Sequence, residues 1–455
     1  MTNVTQQRVL FEGTFPKPVT VDFTARRQSS DGGVALLRQI DARTGLTASL
    51  ASSLNERRST ARVQHDLELL VRQRVLSIAL GYADCNDAAR IGDDPALKLA
   101  CGRAPDASES LASQPTLSRF ERGRAGRELV AMSRALERNV MDRLARRTGR
   151  ARRVTIDLDS TVDPTHGTQQ HSLFNGYYGT WCYLPLLGFL SIDDEPEQYL
   201  FHARLRPGTS RDGRGVRSLL ARVIPDLKRR FRRAEVLVRL DAGFCGPELL
   251  AMLDELGARY VVGIAKNPKL EALAGKHMHA ARALTTRFGP STQLFGDCEY
   301  ATKSWKRSRR VIFKAEVVSL EERTPRDNLR LVVTNLRQSP EALWALYARR
   351  GDSENRIKEL KCDLEIDRTS SSSFLANQLR VLLTSAAFVL MQTLRDTLRE
   401  TELARAQVST LRLKLLKVAA TVKSTWRRIV ISLPETYAWA AAWRTAALAA
   451  GAAAC

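Results

Sequence analysis

The strongest constraint on how this chain folds is a change of periodicity that starts near Arg150 and then repeats in a fixed order. Val154, Ile156 and Leu158 alternate with Thr155, Asp157 and Asp159, a repeat of two that specifies a strand. Two more strand-like runs follow at 183–191 and 198–206, and residues 213–231 then carry apolar side chains at helical spacing. Residues 235–241 read as a strand, 245–256 as a helix and 260–264 as a fifth strand. Three strands, helix, strand, helix, strand predicts an α/β core.

Two acidic residues close strands in that order. Asp159 ends the first strand and Asp241 the fourth. In an open α/β sheet the carboxyl ends of central strands converge on one crevice. A third acid, Glu354, lies on a helix that starts at Ser339-Pro340-Glu341 and runs to about Cys362. The Ser supplies a cap, the Pro suits the first turn, and the Glu suits the positive end of the dipole. Asp157 competes with Asp159, because residues two apart on a strand point the same way. Asp159 is preferred for its place nearer the strand end, before the small polar Ser160 and Thr161.

Three clustered carboxylates repel and raise one another's pKa unless cations are present. Phosphodiester attack supplies a reason to gather them. Two Mg²⁺ ions, about 3.5–4 Å apart, activate the attacking oxygen and stabilise the leaving one. Mg²⁺ prefers hard oxygen ligands and keeps several waters, so a few carboxylates suffice. The charge balance agrees with a nucleic-acid substrate. Lys and Arg number 71 against 49 Asp and Glu, a net +22, and such an excess releases counterions from a polyanion.

On the helix bearing Glu354, Tyr347, Arg350, Glu354 and Lys361 fall within one stripe, with Lys358 nearby. Pairing of Arg350 and Lys358 with Glu354 on a solvated helix face is the plainer reading of that stripe alone. The N-terminal segment also carries arginines at 119, 122, 124, 127, 134, 138, 143, 146 and 147, either a DNA-contacting face or a solvated one. Seven cysteines are scattered without a C-x-x-C pair, as expected of reduced cytosolic thiols and against a zinc site. No His pairs with Cys245, so a thiol nucleophile is not expected. The start, MTNVTQQRVLFEG, lacks a signal-peptide pattern. The apolar run 379–394 contains Thr384, Ser385 and Gln392 and reads as a buried helix, with no membrane partner. His166, His171 and Asp163 read as a turn-rich loop, Asn175-Gly176-Tyr177-Tyr178 as a turn whose tyrosines touch DNA or pack, and Trp305 as a core or edge residue.

The spacing Tyr347-x₂-Arg350-x₃-Glu354-x₆-Lys361 resembles the Y-R-E-K signature of DDE transposases from bacterial insertion sequences. Residues 239–268 (RLDAGFCGPELLAMLDELGARYVVGIAKNP) resemble the second-Asp block of that branch. Residues 157–189 (DLDSTVDPTHGTQQHSLFNGYYGTWCYLPLLGF) resemble the first-Asp block of its insertion-sequence-1380 family. The resemblance implies a ribonuclease-H-like core interrupted by a β-rich insertion, and two Mg²⁺ or Mn²⁺ ions held by Asp159, Asp241 and Glu354, with Asp157 as a further candidate ligand. It implies DNA contacts by Tyr347, Arg350 and Lys361, and Lys358, near the same stripe, is a further candidate for DNA binding. It further implies binding of terminal inverted repeats and target DNA as a homodimer in the bacterial cytoplasm. Some relatives carry a Trp after the signature Arg and another on the last insertion strand; here Gly351 follows Arg350 and residues 329–335 hold no Trp.

The resulting division is a mainly helical DNA-binding region at 1–150 and the core at 151–267. A β-rich insertion at 268–336, the Glu-bearing helix at 337–373 and a helical C-terminal region at 374–455, suited to dimerisation, complete it. A repressor or inactive relic, or a nuclease of the same fold without strand transfer, are the alternatives.

Overall fold

The computed structural model describes residues 8–11, 17, 19–22, 24–59, 61, 63–210, 213–289, 291–319 and 324–454. The chain divides into two compact units: Ser49–Asn55 with Glu121–Val389, and Met1–Ala48 with Glu56–Phe120 and Leu390–Cys455.

The first unit is built on an eight-stranded mixed sheet. In chain order its strands are β1 (Arg153–Ser160), β2 (Leu186–Ile192), β3 (Tyr199–Arg204), β4 (Glu235–Leu240), β5 (Arg259–Gly263), β6 (Thr292–Tyr300), β7 (Arg309–Val318) and β8 (Arg326–Thr334). Their spatial order is β6-β7-β8-β5-β4-β1-β2-β3. β1, β4 and β5 run parallel, while β2 and β3 on one side and β6 to β8 on the other pair antiparallel. The parallel steps need helical crossovers. The helices of this unit are α1 (Gly126–Arg147), α2 (Val216–Arg230), α3 (Pro247–Glu255), α4 (Pro268–Phe288), α5 (Pro340–Ala348) and α6 (Asp352–Cys362). β1 sits mid-sheet, so Thr155 and Asp157 are buried as fully as Val154 and Ile156.

Three sequence expectations change here. The run at 183–191 is two strands, because Leu184-Pro185 interrupts it: Thr180–Tyr183 joins a small sheet with Asp163–Pro164 and Leu173–Asn175. Pro185 has no amide hydrogen to give a ladder. Residues 268–336, expected as a β-rich insertion, are not all strand. They open with the 21-residue α4, capped by Asn267 and started by Pro268, and their three strands extend the main sheet through β8 beside β5. Alternation on β7 explains how: Ile312 packs in a cluster with Leu343 of α5, while Phe313, on the opposite face, meets His277 of α4 at 4.9 Å between ring centroids. Finally, the helix from Ser339 does reach Cys362, but it tightens to a 3₁₀ turn at Arg349–Gly351, which divides it into α5 and α6.

In the other unit the two ends of the chain fold together rather than as separate N- and C-terminal regions. Gln28–Ser29 pairs with Ala420–Ser424, which pairs with Ile429–Ser432. Arg43 Nη1 donates to the carbonyl of Ala449 at 2.6 Å. Asp66 caps the helix Leu67–Ala79 through the Leu69 amide at 2.7 Å. The helix Phe374–Asp396 is long and apolar enough to cross a membrane, but most of it is buried, as a core helix.

Candidate active site

Strand register brings the first two acids together. β4 runs parallel to β1 with Arg239 opposite Asp157. Two residues further along each strand lie Asp241 and Asp159, on neighbouring strands about 4.8 Å apart. Leu237, Arg239 and Asp241 share a face by alternation, and Leu237 packs in the cluster that holds Leu343 of α5. The acids therefore open onto the side of the sheet that carries α5 and α6.

The same register gives Asp157 a buried partner. Its two carboxylate oxygens accept from Arg239 Nε at 2.8 Å and Nη2 at 2.6 Å, and Gln198 Nε2 adds a third bond at 3.2 Å. Burial pushes the Asp157 carboxyl up, against the pull of the Arg239 guanidinium. Asp157 is fully enclosed and already accepts three hydrogen bonds, which makes it a weaker candidate metal ligand than Asp159. Arg239 reaches further: its Nη1 donates to the carbonyl of Leu346 at 2.9 Å. One buried pair thus ties β1 and β4 to the end of α5, where Tyr347 stands.

Asp159 lies at the mouth of this assembly. Its oxygens accept from the Ser160 amide at 3.0 Å and from Arg350 Nη1 at 3.0 Å. Burial pushes its carboxyl up to about 6; Arg350 opposes that, and Asp241 and Glu354 add to it. Burial works against the charge of Arg350, yet Asp159, Tyr347, Asp241 and Glu354 together hold its guanidinium above its usual value. Asp241 and Glu354 thus act on Asp159 through their charge, and Arg350 opposes them. Among the described residues no three Asp, Glu, His or Cys side chains are gathered into a single coordination shell. Glu354 itself is solvent-exposed in the first turn of α6, and Arg350 is the counter-charge to Asp159.

Asp241 accepts from the Gly243 amide at 2.9 Å and caps a short 3₁₀ turn. Gly263 lets that turn and Tyr347 close in: a Cβ there would lie 2.7 Å from the Ala242 amide nitrogen and 2.9 Å from Tyr347 Oη. Lys361 does not face open solvent. Its Nζ donates to the carbonyl of Val162 at 2.8 Å, just beyond Asp159. Lys358 is exposed.

A family model described as transposase DDE domain group 1 matches residues 11–450. The chain belongs to this transposase family. Among solved structures, the transposase is similar to the piggyBac transposase in a synaptic complex with hairpin DNA, determined by cryo-EM, at 10% identity and a TM-score of 0.42. That match covers 85% of this chain and 77% of the other. No curated protein matches the transposase.

The candidate site also includes residues without a clear sequence signature. Arg239 is the buried clamp. Ser353 is buried and donates to the carbonyl of Arg350 at 2.8 Å, fixing the turn between α5 and α6. Arg206 donates from Nη2 to Ser160 Oγ at 2.7 Å. Arg239 had a signal, since an Arg two residues before Asp241 matches an Asp two residues before Asp159. Ser353 and Arg206 had none. Other candidates fall away. Burial pushes the Cys245 thiol up to about 11, consistent with no thiol nucleophile. Trp305 packs against Tyr300 at 5.6 Å and under Arg309. His171 packs on Phe374 at 5.1 Å. In the Arg-rich segment, Arg147 donates to Tyr199 Oη at 2.8 Å and Arg124, just before α1, is buried; Arg127, Arg134 and Arg138 remain exposed.

Asp163 gives a pH test. Burial pushes its carboxyl up to about 8 from an ordinary 3.8, with Thr369 hydrogen bonds opposing. The folded state thus holds a proton that the unfolded state has lost, and this stabilisation disappears as pH rises through that window. Asp163→Asn is neutral throughout. Its melting temperature should gain on the wild type between about pH 5 and pH 9, and a constant difference across that range would contradict the assignment.

Proposed function

We propose that this transposase binds the terminal inverted repeats of an insertion sequence and cuts and rejoins DNA within a ribonuclease-H-like core of the Y-R-E-K branch. Asp159, Asp241 and Glu354 would hold two Mg²⁺ or Mn²⁺ ions. Asp159 and Asp241, each two residues beyond the paired Asp157 and Arg239 of adjacent parallel strands, with the charge of Glu354 acting on Asp159, support this reading. The donor set fits: carboxylate oxygens suit Mg²⁺ and Mn²⁺, and no thiol or imidazole belongs to it. An Asp159 carboxyl lifted to about 6 by burial and by neighbouring acids is the state that added positive charge relieves. Bound there, the ions would make water or a 3′-OH a better nucleophile and neutralise charge building on the phosphate.

The chain's own residues position the rest. Arg350, the present counter-charge of Asp159, is placed to turn to a DNA phosphate once those acids are neutralised. Tyr347 braces the Asp241 turn across Gly263. Lys361 holds the loop after Asp159, and exposed Lys358 adds positive charge beside Glu354. We further propose that two copies act together at the two ends of the element, on bacterial cytoplasmic DNA.

The test uses duplexes carrying the inverted repeats that flank the gene, with Mg²⁺ and a target plasmid. The expected products are a nicked end with a 3′-OH and its joined form in the plasmid, both lost on chelation. Binding without nicking points to a repressor or relic. Nicking without joining points to a nuclease of the same fold.

A further inference from the structure

Just past Asp159 the chain leaves the main sheet and builds the small three-stranded sheet from Asp163–Pro164, Leu173–Asn175 and Thr180–Tyr183. Its last two strands form a hairpin with Phe174 opposite Trp181. The hairpin turns its rings outward: Tyr177 is 90% exposed, Trp181 56%, Phe174 51% and Tyr178 42%. The rings meet edge to face, Phe174 with Trp181 at 6.2 Å and Tyr177 with Tyr178 at 4.9 Å. Four large aromatics clustered in solvent contribute little to a core and mark a contact surface.

The mount beneath them is fixed. Asn175 Nδ2 donates to the carbonyl of Gly208 at 2.8 Å, and its Oδ1 accepts from the Tyr177 amide at 3.0 Å. A Cβ at Gly208 would collide with the carbonyl oxygens of Leu173 and Cys182, so the hairpin base is seated directly on backbone. Beside that base a cleft of about 610 Å³ is lined by Arg204, Arg206 and Arg214. Arg204 and Arg214 are exposed, while Arg206 reaches back to Ser160. The cleft meets the hairpin base at Pro207, which precedes Gly208, and the buried Arg206 links it to the neighbour of Asp159.

We propose that the 173–183 hairpin is a base-stacking element that takes unpaired bases of a DNA strand whose phosphates lie along Arg204 and Arg214. This rests on the reading of the chain as a DNA-cutting enzyme, but not on its metal chemistry. Every base has a flat π-face that stacks on Tyr or Trp, and a cationic track draws the backbone, so such a surface binds single strands with little regard to sequence. In an intact duplex those faces are already stacked. With a net charge of +22 and arginines beside the rings, the surface suits a polyanion better than a second copy of the chain.

The experiment measures binding of the full chain, without divalent metal, to labelled single-stranded oligothymidine and to a duplex of equal length. Tyr177→Ala with Trp181→Ala should weaken single-strand binding about tenfold, duplex binding should change less than about twofold, and Trp181→Phe should retain most of the single-strand affinity. Tyr177→Ala alone should show part of the loss; its ring is so exposed that folding does not depend on it. No loss, or equal loss on both probes, overturns the proposal. So does a change of oligomeric state in the variants at equal concentration, which would make the rings a protein interface. Nicking that survives Asp159→Asn would overturn the catalytic reading instead, and metal-free binding by the hairpin variants does not depend on that result.

Discussion

Asp159→Asn is expected to lower single-turnover nicking by at least roughly 10³-fold while leaving the fold and end binding in place. The amide keeps the size of the carboxylate but not its charge, so it is a poor ligand for a hard divalent ion. Stability should not fall at neutral pH. Asp159 carries a carboxyl raised to about 6, so the stabilisation linked to its proton is lost as pH rises through that value. A permanently neutral side chain avoids that loss above pH ~6. Arg350 gives up its partner at 3.0 Å and gains freedom to meet phosphate, so DNA affinity should hold or rise. Nicking at the wild-type rate, or a loss that only tracks an earlier melting transition, would remove Asp159 from the chemistry.

Asp157→Ala should behave in the opposite way, costing about 3–5 kcal/mol of stability because it leaves Arg239 charged and unpaired in the interior. The Asp157–Arg239 pair is bidentate and almost wholly enclosed. Chemical denaturation of the variant measures the cost directly. Replacing both partners together, Asp157→Leu with Arg239→Met, should recover most of it, since an apolar pair of similar volume is often as stable as a buried ion pair. Nicking should still fall in the double variant, because the Arg239 bond to the Leu346 carbonyl, which holds the end of α5 beside Asp241, is gone. If Asp157 were instead a metal ligand, Asp157→Ala would abolish nicking even under conditions where the variant is fully folded.

The contrast between these two acids shows how far the sequence could be read. Their strand was evident from Val154, Ile156 and Leu158, and so was the order of β1 to β5. The preference for Asp159 came from its place near the strand end. A firmer argument lay in the same residues: parallel pairing that sets Arg239 against Asp157 must set Asp241 beside Asp159. Register is a long-range property, however, and only the opposite charges hinted at it. The continuation of the sheet through β6 to β8 was less accessible, because alternation identifies strands but does not name their neighbours. α4 was overlooked despite the cap at Asn267 and Pro268 in its first turn, since the β-rich run that follows dominated the segment. The 3₁₀ turn at Arg349–Gly351 was hidden by a helical pattern on both sides. Pairing of Gln28–Ser29 with Ala420–Ser424 joins residues almost a whole chain apart, and a two-residue strand leaves no periodic trace.

Anomalous diffraction from crystals of the wild-type protein grown with Mn²⁺ and a cleaved inverted-repeat end would locate the cations without reference to activity. The account predicts Mn²⁺ peaks within coordinating distance of carboxylate oxygens of Asp159, Asp241 and Glu354, with Arg350 turned from Asp159 toward DNA and Asp157 still bound to Arg239. A DNA-bound structure in which Mn²⁺ lies elsewhere, or in which Arg350 keeps its bond to Asp159 and no ion lies between the three acids, would contradict it.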